Sequence, residues 1–302
     1  MTQSAKATAN PRTPSRSEDA PRVWCAAVPF GTNNIGDEAI IAGIVRMIPQ
    51  VAPRAQITVA TGYPEATARA LDVQTCPPFG FVGVAASGPE VDRVLAEHDL
   101  LVWSGATGLS DYPDIPLSLM HSAHRLGKPS VVLCVGMNEE LNPHLYQVRS
   151  RWRPAYDRIR QMTGGIIDLA AWLEGYRKAR TARRLRQVLP QADLVVVRDP
   201  ETEATLGRFG VQGEIVVGAD AALGLAPTAL DRIALPETLR QALTTPGGPR
   251  LGLCLSAQDP PRNLPVVVSA LDRVMADTGA TVFGVPINFV TDARLMGDLR
   301  PQ

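Results

Sequence analysis

Six short apolar runs alternate with longer amphipathic stretches, and this alternation constrains the fold more than any other feature of the chain. The runs span residues 23–28, 57–60, 100–103, 130–135, 194–197 and 214–217. Helical spacing of apolar residues falls between them at 38–48, 91–97, 116–126, 169–188 and 201–209. Short runs that stay apolar, rather than alternating with polar residues, fit strands buried on both faces. Strands alternating with helices then predict an α/β fold: a doubly wound parallel sheet with helices on either side. Ligands of such sheets gather at the carboxyl ends of the strands. Asn34, Ser104, Gly136 and Arg198 each follow a run closely, so one crevice is expected to bring them together.

The first of these junctions reads Asn33-Asn34-Ile35-Gly36-Asp37-Glu38-Ala39-Ile40. It is a strand, a glycine-containing turn and a helix start. A helix start carries free backbone N–H groups and a positive dipole end, which suit an anion. Asp37 is expected to cap the helix and Glu38 to sit in its first turn. The same two carboxylates are the candidates for positioning a hydroxyl or carrying a proton, since a carboxylate accepts several hydrogen bonds. Arg198 is the candidate anion-binding cation, because its planar fork matches a carboxylate or a phosphate. A plain ion pair with Asp199 or Glu201 is the alternative for it.

Composition narrows the class. The chain has 302 residues, no formal net charge and 45% hydrophobic residues. Length predicts about two domains. No apolar run reaches the ~20 residues that span a bilayer. Residues 1–22 have no apolar signal-like core and are read as a disordered tail. Cys25, Cys76, Cys134 and Cys254 fit no zinc spacing and are read as packing residues of a cytoplasmic protein. His98, His121, His124 and His144 form no metal pattern, so no metal is expected. Residues 149–186 hold eleven basic and three acidic residues, leaving +8 in a neutral chain. Two readings stay open for that segment: a solvated helix face, or a surface attracting an anionic acceptor near a membrane. Aromatics do not alternate with the charges, so no nucleic-acid partner is expected.

Residues 226–249 are rich in proline and glycine and read as a linker with one short helix. A second unit is expected over 250–302, with strands at 251–255 and 281–285 and helices at 264–276 and 292–299. Two strands cannot form a covered sheet, so this second α/β domain is expected to be incomplete and the sequence a fragment.

Ala192 to Thr202, Leu206 to Val211, Val216-Val217-Gly218-Ala219-Asp220 and the Asn34-x-Gly36-Asp37-Glu38 turn together resemble the polysaccharide pyruvyl transferase family. Leu101 to Leu109 and Leu126 to Leu133 add weaker matches. The resemblance covers roughly residues 23–288. It implies a glycosyltransferase-B-like fold, with a complete domain over 23–225 before the linker. It implies transfer of a pyruvyl group from phosphoenolpyruvate to a sugar hydroxyl pair, forming a ketal in cell-surface polysaccharide biosynthesis. The acceptor partner is then a sugar or polysaccharide precursor, and no cofactor is needed beyond phosphoenolpyruvate as donor. Carried over by position, Asn34, Gly36, Ser104, Gly105 and Arg198 become substrate-binding residues, and Asp37 and Glu38 catalytic ones. The second unit departs from the pattern. Ser256-Ala257-Gln258 stands where the family has a serine followed by an arginine, and Pro286-Ile287-Asn288 where it has a nearby histidine. Asn288 has no titrating proton and Gln258 no charge, so little turnover is expected. A nucleotide-sugar glycosyltransferase of the same fold and a non-catalytic binding protein are the alternatives.

Overall fold

In the computed structural model, residues 20–148, 151–229, 232–244, 247–255 and 263–288 are described. In chain order they form β1 (Arg22–Phe30), α1 (Ile35–Val51), β2 (Gln56–Thr61), α2 (Pro64–Leu71) and β3 (Gln74–Cys76). Next come α3 (Pro89–Glu97), β4 (Leu100–Ser104), α4 (Gly108–Asp111), α5 (Asp114–Arg125), β5 (Ser130–Val135) and α6 (Pro143–Tyr146). They continue with α7 (Arg153–Met162), α8 (Leu169–Val188), β6 (Leu194–Val197), α9 (Pro200–Arg208) and β7 (Val216–Val217). The last are α10 (Glu237–Thr244), β8 (Arg250–Leu253), α11 (Leu264–Thr278) and β9 (Thr281–Gly284).

Strands β1 to β7 make one parallel sheet in the order β3-β2-β1-β4-β5-β6-β7. The order reverses direction between β1 and β4, so the two loops leaving those strands part and open a crevice at the carboxyl edge. This is the α/β class expected from the alternating runs. The sheet is covered on both faces, as its uninterrupted apolar strands require. Trp24 on β1 and Trp103 on β4 are both fully buried. Each removes on the order of 200 Å² from water, making the β1–β4 seam the heavy centre of the core. Helix α1 presents Ile40, Ile41, Ile44 and Val45 to the sheet. Its Gly43 lies against the backbone of Ala221, where a Cβ would sit 2.2 Å from the carbonyl oxygen.

Several boundaries differ from expectation. Arg22 belongs to β1 rather than to a tail, its N–H bonding Asp99 Oδ2 at 2.8 Å. Strand β3 escaped the sequence reading because it is a three-residue edge strand of mixed polarity. Helix α7 escaped the sequence reading; it is short and buries no residue. β8 and β9 pair in parallel as a separate two-stranded sheet. The remainder of the expected tail (1–19), Arg149, Ser256 to Gln258 and the helix expected at 292–299 lie outside the described residues.

Candidate functional site

The crevice is built from the carboxyl ends of β1, β4, β5 and β6. After β1, Asn34 is the N-cap of α1; its Oδ1 accepts from the Gly36 N–H at 3.1 Å. Asp37 is therefore not the cap, contrary to expectation. The chain enters the helix three residues earlier than the apolar spacing suggested, and Asp37 falls in the first turn. There its Oδ2 accepts from Asn34 Nδ2 at 3.0 Å. Glu38 turns the other way: its Oε1 accepts from the Gly31 N–H at 2.6 Å and so pins the loop leaving β1. The adjacent acids thus divide, Glu38 to the backbone and Asp37 to the crevice.

After β4, the chain passes through Gly105 and Ala106 in left-handed conformations into α4. Thr107 Oγ1 donates to Asp111 Oδ2, and Asn138 Nδ2 from the β5 loop donates to Asp111 Oδ1 at 3.3 Å. The Gly136 N–H bonds Ala106 O at 2.7 Å, tying the β5 end to the β4 loop. Asp111 and Tyr112 lie close enough to Asp37 for their charges to interact. Burial chiefly, with the nearby charges of Glu38 and Asp111 and against the Asn34 hydrogen bond, raises the Asp37 carboxyl from an ordinary 3.8 to about 6. Burial also holds the Tyr112 phenol well above its ordinary value, with the charges of Asp37 and Asp111 adding to the effect.

On the far side, Arg198 leaves β6. Its Nε donates to Asp199 Oδ2 at 3.1 Å, and its Nη1 lies 3.6 Å from Asp220 Oδ2. The pair with Asp199 forms, and Asp220 joins it. Asp199 also caps α9, accepting from the Thr202 N–H at 2.7 Å. Burial raises the Asp199 pKa, but the hydrogen bonds from Thr202 and Arg198 and the arginine's charge outweigh it, and the group stays below the ordinary range. The Arg198 side chain folds back over Gly136, at the end of β5. The side chain thereby reaches from the end of β6 across to the end of β5.

Non-glycine residues in the left-handed region concentrate on this rim. Ala27 lies within β1, Asn33 in the loop that leaves it, Ala106 after β4, and Cys134 next to the last residue of β5. Ala27 and Cys134 fall where the register of their strands shifts. Such conformations cost of order 1 kcal/mol each and collect at functional sites.

Not every expected residue faces the crevice. Ser104 is fully buried and donates to Val102 O at 3.0 Å, so its hydroxyl is turned into the sheet. Gly105 is occupied by packing: a Cβ there would sit 2.3 Å from Ile40 Cγ2. Asn34, Gly36, Asp37 and Arg198 stand at the carboxyl edge. The second unit reaches the same edge, where Asn288 forms an antiparallel bridge with Asn34 and the Ile35 N–H bonds Ile287 O at 2.9 Å. Sequence reasoning passed over Asp111, Tyr112 and Asp220. Asp220 lay in a quoted motif, but nothing local tied it to Arg198.

The family model described as polysaccharide pyruvyl transferase matches residues 34–298. No curated protein matches the sequence. Among solved structures, the chain is similar to a candidate UDP-N-acetylglucosamine 2-epimerase from Listeria monocytogenes, with TM-score 0.52 and 10% identity over 94% of this chain and 67% of that one. It is also similar to MnaA of S. aureus solved with UDP, with TM-score 0.52 and 11% identity over 92% of this chain and 65% of that one. A sialyltransferase GT-B domain from Photobacterium damselae aligns with TM-score 0.42 and 12% identity over 91% of this chain and 78% of that one. The chain thus spans about two thirds of the length of the first two structures. At such identities the likeness is one of fold.

Proposed function

This chain belongs to the polysaccharide pyruvyl transferase family, and on that premise we propose that it transfers a pyruvyl group from phosphoenolpyruvate to two hydroxyls of a sugar acceptor. In this reaction C3 of the enol takes a proton and becomes a methyl group. The two sugar oxygens bond to C2, and the C2–O bond to phosphate breaks. One hydroxyl proton replaces the one delivered to C3, and the other leaves with phosphate. Nothing is oxidised or reduced.

The observation that carries the reading is the Asp37 carboxyl, raised to about 6 at the opening between β1 and β4. A group with a pKa near the working pH both gives and retakes a proton. Asp37 is assigned that role. Asn288, which has no titrating proton, stands beside Asn34 at the rim, so the acid expected from the second unit is supplied instead by the first. This is the reason for proposing turnover where the sequence argued against it. Arg198, steadied by Asp199 and Asp220, is assigned to the donor's anionic end. Asn34 and the Gly36 N–H region border the same opening and are assigned to substrate contact.

The test is phosphate release by the full chain from phosphoenolpyruvate with a panel of acceptor sugars. Turnover should require an acceptor, fall by ~10²–10⁴ in Asp37→Asn, and show a raised KM for phosphoenolpyruvate in Arg198→Ala. Turnover untouched by both substitutions overturns the assignment. Sugar transfer from a nucleotide sugar, with no reaction of phosphoenolpyruvate, replaces pyruvyl transfer by glycosyl transfer.

A further inference from the structure

Helices α7 and α8 form a hairpin closed by residues 163–168. Gly164 and Gly165 make the turn in left-handed conformations, and Arg160 Nε pairs with Asp168 Oδ2 at 3.2 Å across it. The far half of α8 is anchored, with Thr181, Leu185 and Val188 buried. The tip is not. α7 buries nothing, and in the first half of α8 only Ala170 is buried. The tip instead exposes Met162 (80%), Ile166 (88%), Ile167, Leu169, Trp172 (69%) and Tyr176. Single exposed apolar residues are ordinary, but six within fifteen positions at one end of a hairpin are a surface in need of a partner.

The pattern of the surface identifies that partner. Leu169, Trp172, Tyr176, Arg180 and Arg183 fall on one solvent-facing stripe of α8 by helical spacing. Trp172 and Tyr176 stack along it, with ring centroids 6.1 Å apart. On α7, Arg158 stands one turn before Met162. Arg158, Arg180 and Arg183 make no ion pair among the described residues. Apolar and aromatic residues at a tip, with unpaired arginines just behind them, are the arrangement of an interfacial anchor: rings at the headgroup boundary and cations on the lipid phosphates. No helix among the described residues is long and apolar enough to cross a membrane, so the contact is peripheral. A second copy of the chain fits poorly, because an isologous contact would oppose two segments of charge +8. Methionine and isoleucine suit acyl chains rather than stacked bases.

We propose that the tip of the α7–α8 hairpin docks the protein on an anionic lipid surface, with Ile166 and Trp172 entering the headgroup boundary and Arg158, Arg180 and Arg183 engaging lipid phosphates. The docking does not depend on the pyruvyl transfer reading. The test is flotation of the full chain with vesicles of phosphatidylcholine alone and with vesicles containing phosphatidylglycerol. The chain should float with the anionic vesicles only, and added salt should release it. Trp24 and Trp103 are fully buried, so a blue shift of emission on binding reports Trp152 and Trp172. Trp172→Ala combined with Ile166→Ala should weaken binding roughly tenfold. Each of Arg180→Glu and Arg183→Glu should weaken it at least roughly fivefold. All four positions are exposed, so unchanged thermal melting will show that the variants fold. Absence of binding, equal binding to both vesicle types, or indifference to all these substitutions overturns the proposal. So does a dimer in sedimentation equilibrium that Trp172→Asp dissociates, since the tip is then covered by a second copy.

Discussion

Arg198 lies so closely over Gly136 that a Cβ on residue 136 would sit 2.3 Å from its Nε and 2.6 Å from its Cζ. The glycine is the floor on which the guanidinium rests. Gly136→Ala should therefore lift Arg198 off β5 without unfolding the sheet, because the obstructing atoms belong to a side chain that can swing away. Thermal melting should place the stability change within about 1 kcal/mol of the parent. Phosphate release should fall nearly as far as in Arg198→Ala. Full activity in Gly136→Ala would separate the arginine from the reaction.

Asp37→Asn should stabilise the protein while lowering its activity. The folded pKa of Asp37 is raised, so between 3.8 and about 6 the folded chain holds a proton that the unfolded chain has lost. Stability contributed by this group thus falls as pH rises through that window and stays low above it. Removing the charge should recover about 3 kcal/mol at about pH 7.5 and well under about 1 kcal/mol near pH 4. Denaturant midpoints at the two pH values measure it. An equal shift at both would assign the effect to something other than the buried charge.

Asn34→Ala should cost about 1 kcal/mol through loss of the helix cap. It also removes the hydrogen bond that holds the Asp37 pKa down. The limb of the pH–rate profile governed by Asp37 should move to higher pH. An unmoved limb would mean that another group sets it.

Gly105→Ala should destabilise by about 2–4 kcal/mol, because the new Cβ meets Ile40 Cγ2 and the φ of +75° strains any side chain. Ile40→Ala removes the obstructing atom, so the double variant should be more stable than the sum of the two losses predicts. Strict additivity in denaturant titrations would remove packing as the reason for glycine at this position.

What the sequence revealed, and what it hid, follows from how local each signal is. β5 (Ser130–Val135) and β6 (Leu194–Val197) matched their apolar runs residue for residue, since strands inside a covered parallel sheet are mostly apolar on both faces. Helix α8 was equally legible from its spacing. α1 was misjudged at its start because capping is decided by one side chain's geometry, and Asn34 and Asp37 are both good caps. Ser104 was misjudged for a similar reason: the last residue of a strand can point to either face, and this one points inward. Asp111, Tyr112 and Asp220 could not be found at all. They meet Asp37 and Arg198 only after separate loops converge on one edge of the sheet, a relationship that no window of neighbouring residues contains.

The bridge between Asn34 and Asn288 bears on the order in which the molecule assembles. It joins positions near opposite ends of the chain, and closing so long a loop is slow compared with forming the neighbouring βα units. The seven-stranded sheet can therefore be complete while its carboxyl rim still lacks the wall that residues 287 and 288 provide. The Ile35 amide records that moment. As the first residue of α1 it has no acceptor within its own helix, and its bond is to Ile287 O. In pulse-labelling hydrogen exchange it should gain protection after the amides of β1 and β4, as a timer set at the mouth of the crevice.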